Sequence, residues 1–446
     1  MLNALNAMAN CKFLRQKKQV NINGEWVDTR SYRYIPYCDG GTPCVTIKGG
    51  PENEEIEYWT YNTEKEISHW DVNLDENGNG YFELKDDEIL YRVYLPTYKG
   101  QPIYQLSEVD IKGCNVATAN PLGGYGKIVF SCSTIISDEP NYGEYAHSAY
   151  CGAYSYIYNG VDTSKSTNMA WMFKDCSGIT SLDLSGWDTS NVTDMHCMFT
   201  DCSGLTSLDV SNFNTSNVTR MDYMFYLCSG LTSLDVSNFN TSNVTRMSNM
   251  FCCCTSLTSL DVSNFNTSNV TYMIDMFRGC SGLKSLDLSS FDTSNLTDME
   301  NMFEDCSGLT SLDVSSFNTS KVTDMSSMFD NCNSLTSLDV THFDTSNVTD
   351  MKYMFYGCSG LTSLDVSNFN TSNVTYMTAM FNRCSGLTSL DLSGWDVSNV
   401  SDMMYMFYNC SKLKTIRMVG CNSTTVNIIK NKLKEAEIQD HVTIIT

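Results

Sequence analysis

Apolar and polar positions in the second half of this chain recur with a period of 26 residues. In its commonest form one period reads MFxxCSGLTSLDVSNFNTSNVTxM. Its cysteine falls at Cys176, Cys202, Cys228, Cys254, Cys280, Cys306, Cys332, Cys358, Cys384 and Cys410. A period this short predicts a solenoid, because each coil can bury its apolar face only against its neighbours. Within one coil, Leu205, Leu208 and Val210 predict a short strand with Leu208 and Val210 inward and Ser207, Asp209 and Ser211 outward. Phe213 (Trp187 and Trp395 in outer coils) turns inward after the strand. Asn214-Thr215-Ser216-Asn217 then makes a turn whose side chains can cap the next segment. Val218, Met221, Met224, Phe225, Cys228 and Leu231 follow at a spacing that predicts a short helix or a succession of helical turns. Coils stacked about 4.8 Å apart would give ten of them a spine of roughly 45 Å. The expected fold class is an α/β repeat solenoid with short parallel strands, an N-terminal β-rich region and a C-terminal helix–strand cap.

The pattern also divides the chain. Residues 1–50 read as an extended β arm for attachment or linkage, with two strands about Asn23-Gly24 in Val20–Val27. Gly49-Gly50-Pro51 marks a break. Residues 51–160 read as a β-rich domain that caps the first coil, from alternating runs at Glu57–Tyr61, Tyr81–Leu84 and Ile89–Leu95 and a buried strand within Gly126–Ile136. The ten repeats occupy 161–419, where VDTSKSTNMAWMFKDC aligns with WDTSNVTDMHCMFTDC one period later. Past Cys410 the pattern decays: Arg417 stands at the strand Asp position and Cys421 at the Phe position. Val426, Ile429, Leu433 and Ala436 predict a helix over Thr424–Glu437, followed by a strand at Val442–Ile445. Residues 420–446 are thus a lid on the last coil.

Charge narrows the partners. With 51 acidic against 28 basic residues, a net of -23, nucleic acid and anionic membranes are poor partners. Of twenty cysteines, ten form the repeat column, where a small apolar side chain suits a packed site. The others (Cys11, Cys38, Cys44, Cys114, Cys132, Cys151, Cys197, Cys252, Cys253 and Cys421) have no metal-finger spacing. No run of 18 apolar residues is present, so no membrane insertion is expected. Residues 1–10 lack a Sec signal, since Lys12, Arg15, Lys17 and Lys18 come after them, and Met8-Ala9-Asn10 before Cys11 is a poor lipoprotein cleavage site. The start was processed, export uses another route, or the protein is not exported by its own signal.

Four features could carry binding. Asp183, Asp209, Asp235, Asp261, Asp287, Asp313, Asp339, Asp365 and Asp391 should project from one strand face, as a strip for cations, a basic protein or sugar hydroxyls, or as a solvated face bonded to nearby Ser and Thr. Around the helical turn the coils differ from one another, with Tyr223, Tyr226, Tyr272, Tyr353, Tyr356, Tyr376, Tyr405 and Tyr408 beside Arg220, Arg246, Arg278 and Arg383. Tyr and Arg carry interface energy, although scattered surface aromatics are also ordinary. Asp75, Asn77, Asn79, Glu83 and Asp86 fit much of a Ca²⁺-loop pattern, but their flanks look like strands and not helices, which favours a Gly-Asn hairpin turn. No other cofactor is expected. The sequons at Asn191, Asn217 and Asn243 read as turn residues. His69, His147, His196, His342 and His441 show no paired spacing, and no P-loop, GxGxxG, GxSxG or HExxH occurs, so no enzyme is expected.

The order VTxMxxMFxxCxxLxxLxV, carried by Val192-Thr193, Met195, Met198-Phe199, Cys202, Leu205, Leu208 and Val210, resembles the BspA-type leucine-rich repeat over about residues 161–420. Met before the Phe and Asp in the strand depart from that family's commonest form. The resemblance implies a leucine-rich-repeat solenoid on a surface-displayed, non-enzymatic adhesion protein that binds a host or cell-surface protein or a polysaccharide. The segment KKQVNINGEWVDT resembles virion proteins of phages that infect gut bacteria. It implies an alternative: a tail or head appendage whose solenoid contacts the bacterial surface. Location is then extracellular, cell-surface or virion, and the oligomeric state stays open.

Overall fold

The computed structural model describes residues 161–446 without a break; before them it describes fourteen strands between Leu14 and Asn159 and residues 74–77, 79, 84, 88 and 114. Residues 1–13, Asn23-Gly24, Cys38, Gly49-Gly50-Pro51, Asp86, Cys132 and Cys151 lie outside the described residues. The chain divides into two compact units, Met1–Val192 with Asp201–Phe213, and Thr193–Thr200 with Asn214–Thr446.

The first unit begins with the antiparallel pair β1 (Leu14–Ile22) and β2 (Glu25–Ile35). There follow β3 (Cys44–Lys48), β4 (Glu55–Tyr61), β5 (Ile67–Asn73), β6 (Gly80–Glu83), β7 (Ile89–Tyr94), β8 (Thr97–Tyr98) and β9 (Gln101–Pro102). The last five are β10 (Glu108–Lys112), β11 (Asn115–Val116), β12 (Gly126–Ser131), β13 (Thr134–Ile135) and β14 (Ala153–Asn159). One sheet runs β13-β11-β7-β4-β5-β1-β2, a second runs β14-β12-β10-β3-β6, and β8 pairs with β9. Because β1 pairs with β5 as well as with β2, the N-terminal hairpin is the edge of the first sheet. The two sheets meet through aromatic packing: Tyr58 of β4 stacks on Phe82 of β6 at 3.7 Å. Val45, Ile47, Ile56, Val72, Leu90 and Ile111 are buried around them. From β10 onward, successive strands alternate between the two sheets, and β12, β13 and β14 each pair parallel with the strand two before. The chain is thus already winding before the 26-residue pattern starts.

In the second unit the period becomes geometry. β15 (Ser363–Asp365), β16 (Ser389–Asp391) and β17 (Thr415–Arg417) pair parallel with Leu364 facing Leu390 and Leu390 facing Ile416, each 26 residues on. β18 (Thr443–Ile445) closes this four-stranded sheet against β17. Coils of this unit are also joined at the turn, by parallel bridges Asp194–Arg220–Arg246–Tyr272 and Asp298–Asp324–Asp350–Tyr376–Asp402. From each bridge, backbone N–H groups reach the next coil at alternate residues. Met221 donates to Arg246, Tyr223 to Ser248, Phe225 to Met250 and Leu227 to Cys252, all at 2.9–3.0 Å.

The segment read as helical is a chain of tight turns. Met224 N–H donates to Met221 O, Tyr226 to Tyr223, Cys228 to Phe225 and Leu231 to Cys228. This is the three-residue spacing of the apolar side chains. Two residues per turn lie in the left-handed region, such as Tyr223 (φ 60) and Leu227 (φ 59), so no helix propagates. Among the described residues, the coils contain no α-helix. The inward side chains form columns. Phe199, Phe225, Phe251, Phe277, Phe303, Phe329, Phe355, Phe381 and Phe407 are fully buried and stacked at 5.6–6.0 Å with ring planes within 7°. Each is worth about 1.5–3 kcal/mol of burial.

The cap is α1 (Ser423–Glu435), opened by the Asn422 side chain accepting from Thr425 N–H at 2.8 Å. It buries Thr425, Ile429 and Leu433, while Val426 and Ala436 are half-buried. Among the described residues no helix is long and apolar enough to cross a membrane.

Candidate functional site

The strand face is uniform and self-satisfied. Asp183 and Asp209 in the first unit, and Asp235, Asp261, Asp287, Asp313, Asp339, Asp365 and Asp391 in the second, each accept the backbone N–H two residues on, at 2.9–3.0 Å. The hydroxyls of Ser237, Ser263, Ser289 and Thr341, and then their N–H groups, hold Asp235, Asp261, Asp287 and Asp339 below the usual carboxylate range. For Asp183 and Asp313 the N–H of Ser185 and Ser315 comes first. Two shallow concavities lie on this face of the second unit. One of about 600 Å³ is lined by Leu312, Asp313, Leu338, Asp339 and Asp365. The other, of about 620 Å³, is lined by Leu234, Asp235, Leu260, Asp261 and Asp287. The column ends at Arg417, whose guanidinium lies 3.5 Å from Asp391.

The turn face is irregular. Tyr223, Tyr353 and Tyr405 occupy the same left-handed position in their coils, with φ of 60, 57 and 59. Tyr226, Tyr356 and Tyr408 follow three residues later, and each pair meets edge-to-face at 5.4, 5.9 and 5.1 Å. Tyr272 and Tyr376 sit at the bridge position under cations, Arg246 at 5.0 Å and Lys352 at 4.9 Å, while Arg383 lies 5.5 Å over Tyr356. Such stacking keeps a cation and a ring together at an exposed site. Large exposed apolar side chains concentrate here: Tyr223, Tyr272, Tyr353, Tyr376, Met404, Tyr405 and Tyr408, with Tyr272 and Tyr405 half exposed.

Arg220 and Arg246 are engaged within the protein. Arg220 forks onto Asp222 at 2.9 and 3.2 Å and approaches Asp194 at 3.5 Å. Arg246 reaches the same buried Asp222 at 3.5 Å. His196 Nδ1 lies 2.6 Å from Asp194. These pairs fix the turns rather than offer free cations. Asp222, Lys352 and Met404 escaped the sequence reading, which counted Tyr and Arg. Aligning the coils position by position would have exposed them, because each stands in a turn position that changes from coil to coil.

The calcium-loop residues are placed as a turn between strands. Asp75 accepts from Asn77 N–H at 2.8 Å and Asn79 N–H at 2.9 Å, and Asp75 N–H donates to Asn79 O. Glu83 accepts from the Tyr81 hydroxyl. The sequon asparagines Asn191 and Asn243 donate their side-chain amides to Ser164 O and Ser216 O, one coil back. The column thiols are also occupied. Cys228 donates to Phe199 O, Cys254 to Phe225 O, and so on to Cys410 and Phe381 O, at 2.9–3.1 Å. All fifteen described cysteines are unbridged.

Stacked coils, an acidic strand face and an aromatic turn face define a tandem-repeat protein. Residues 153–234, 228–338 and 334–442 match the family described as "Mycoplasma protein of unknown function, DUF285", more than half of the chain. The chain belongs to that family. No curated protein matches it.

Proposed function

We propose that this chain is a non-enzymatic recognition protein, displayed at a surface, that uses a leucine-rich-repeat solenoid to bind a surface protein or polysaccharide. One observation supports the reading most. Within the second unit's coils, the exposed Tyr and Met side chains gather on the variable turns, while the strand face repeats one Asp-x-Ser or Asp-x-Thr unit. A surface that differs from coil to coil can encode one partner, and aromatic anchors are where binding energy concentrates. The strand carboxylates already accept intramolecular bonds and carry no comparable variation. Surface display rests on the BspA-type resemblance. The calcium loop is proposed as a turn whose own amides fill its lead carboxylate.

The test compares the two faces. The full chain is screened against surface polysaccharides and matrix proteins. The best ligand is then retested with Y353S/Y376S/Y405S and with D313N/D339N/D365N. The tyrosine variant should weaken binding at least about tenfold, about 1.4 kcal/mol, and the aspartate variant should not. The opposite ranking would overturn the turn-face reading.

A further inference from the structure

Two cysteines stand apart from the buried column. Cys252 and Cys253 are adjacent in one turn of the variable face, and their sulfurs lie 3.6 Å apart. Cys252 is buried and Cys253 is half-buried. Cys253 is one of the left-handed residues (φ 62). The next coil offers Gly279 at the corresponding position, where an added Cβ would come within 3.2 Å of the Cys253 sulfur. Gly279 therefore lays no side chain over the thiol. Arg278, one residue earlier, is anchored by Asp275 at 3.4 Å and Glu304 at 3.1 Å.

The chemistry of the two thiols differs. The Cys252 thiol donating to Cys253, with Arg278 assisting, brings Cys253 down to about 7 against the effect of burial. The same contact, with burial, pushes Cys252 up. A thiolate with a pKa near ambient pH is the efficient attacker in thiol–disulfide exchange.

We propose that Cys253 is a reversible thiol-modification site that reacts with low-molecular-weight disulfides, with Cys252 as its resolving thiol. The Cys253 thiolate attacks one sulfur of R–S–S–R; that bond breaks, RS⁻ leaves and takes up a proton. Cys252, after losing its proton to solvent, then attacks the Cys253 sulfur of the mixed disulfide. The second RS⁻ is expelled and protonated, and a Cys252–Cys253 bond remains. Two electrons and two protons pass from the protein dithiol to the external disulfide, giving two RSH. Neighbouring Cα atoms lie about 3.8 Å apart, short of the usual range for a bridged pair. The ring is therefore strained and easily reduced, a labile bond and not a structural one. The column thiols take no part, since all are buried and those from Cys202 to Cys410 donate to a carbonyl.

The full chain is incubated with oxidised glutathione, quenched in acid, alkylated and mapped by mass spectrometry, with Cys197 and Cys421 (both half-buried) as internal controls. The 252–253 peptide should lose two hydrogens and regain them on mild reduction. Cys252→Ser should instead accumulate one glutathionyl group on Cys253. On parent protein, the rate of Cys253 alkylation should rise with pH through about 7. Circular dichroism on Cys252→Ser establishes that it is folded. The proposal fails if Cys253 reacts no faster than Cys197 and Cys421. A folded Cys252→Ser that carries no adduct also defeats it, as does a parent that stops at the mixed disulfide.

Discussion

The repeated cysteine is chosen for a carbonyl as much as for its volume. Each coil turns so tightly after its Phe that the Phe carbonyl faces inward, and the thiol of the next coil donates to it. Alanine would remove the thiol and leave that oxygen only the backbone N–H donated three residues on in its own coil. Burial pushes Cys280 up to about 12, so the column stays protonated and inert. Asp330 is the contrasting residue. Its Oδ1 is buried without a hydrogen-bond partner. Burial, then Glu304 and Asp305, push its carboxyl up to about 7 from an ordinary 3.8. Between these values the folded protein holds a proton that the unfolded chain has lost, so stability falls as pH rises across the window. Asp330→Asn should therefore melt higher than the parent at about pH 8 and show less decline between about pH 5 and pH 8. After discounting for solvent screening, about 1 kcal/mol should be recovered, or about 2–4 °C in calorimetry. Parallel pH profiles for the two proteins would refute this.

One coil is tied to the next by side chains as well as by its backbone. Thr293 is fully buried; its hydroxyl donates to Asn318 O at 2.9 Å and accepts from Asn318 N–H at 2.8 Å. The same two-way bond joins Thr215 to Asn240, Thr241 to Asn266 and Thr371 to Asp396. Thr293→Val keeps the shape and strips both bonds. It should cost about 1–3 kcal/mol for each group left unpaired, read as a lower melting temperature with an unchanged circular dichroism spectrum. An unchanged melting temperature would show that the hydroxyl is dispensable. Much of this element could be read from sequence: the period, the inward Leu and Val, the outward Asp and the Asn turn all follow from spacing. The turn itself was ambiguous. Three-residue apolar spacing serves a helix and a run of tight turns alike, and the left-handed positions are filled by residues as unlike as Leu227, Cys253, Asp305 and Arg383. Only the occasional Gly or Asn hints at positive φ. The destination of the Cys and Thr side chains was illegible too, because both bonds run to backbone atoms 25 or 29 residues away.

For the whole molecule, the decisive question is how far each coil depends on its neighbours. In a stack where each coil touches only the next, loss of an end should be felt locally and fade with distance. The C-terminal cap tests this. β18 pairs along β17, and Ile429 and Leu433 of α1 are buried. Deleting residues 422–446 would leave β17 with an open edge and uncover the apolar side chains behind it. An exposed edge strand recruits other chains, so the truncated protein should self-associate in light scattering. Hydrogen exchange should then separate two pictures of the remaining coils. Amides near Met406 and Cys410 should lose protection, whereas those near Met224 and Cys228, seven coils away by sequence, should exchange as in the parent. Uniform loss of protection would mean that the coils unfold as one cooperative body. Unchanged protection and a monodisperse protein would mean that the last coil needs no lid. The expected gradient would also bear on recognition, since Tyr405 and Tyr408 would lose their geometry while Tyr223 and Tyr226 kept theirs.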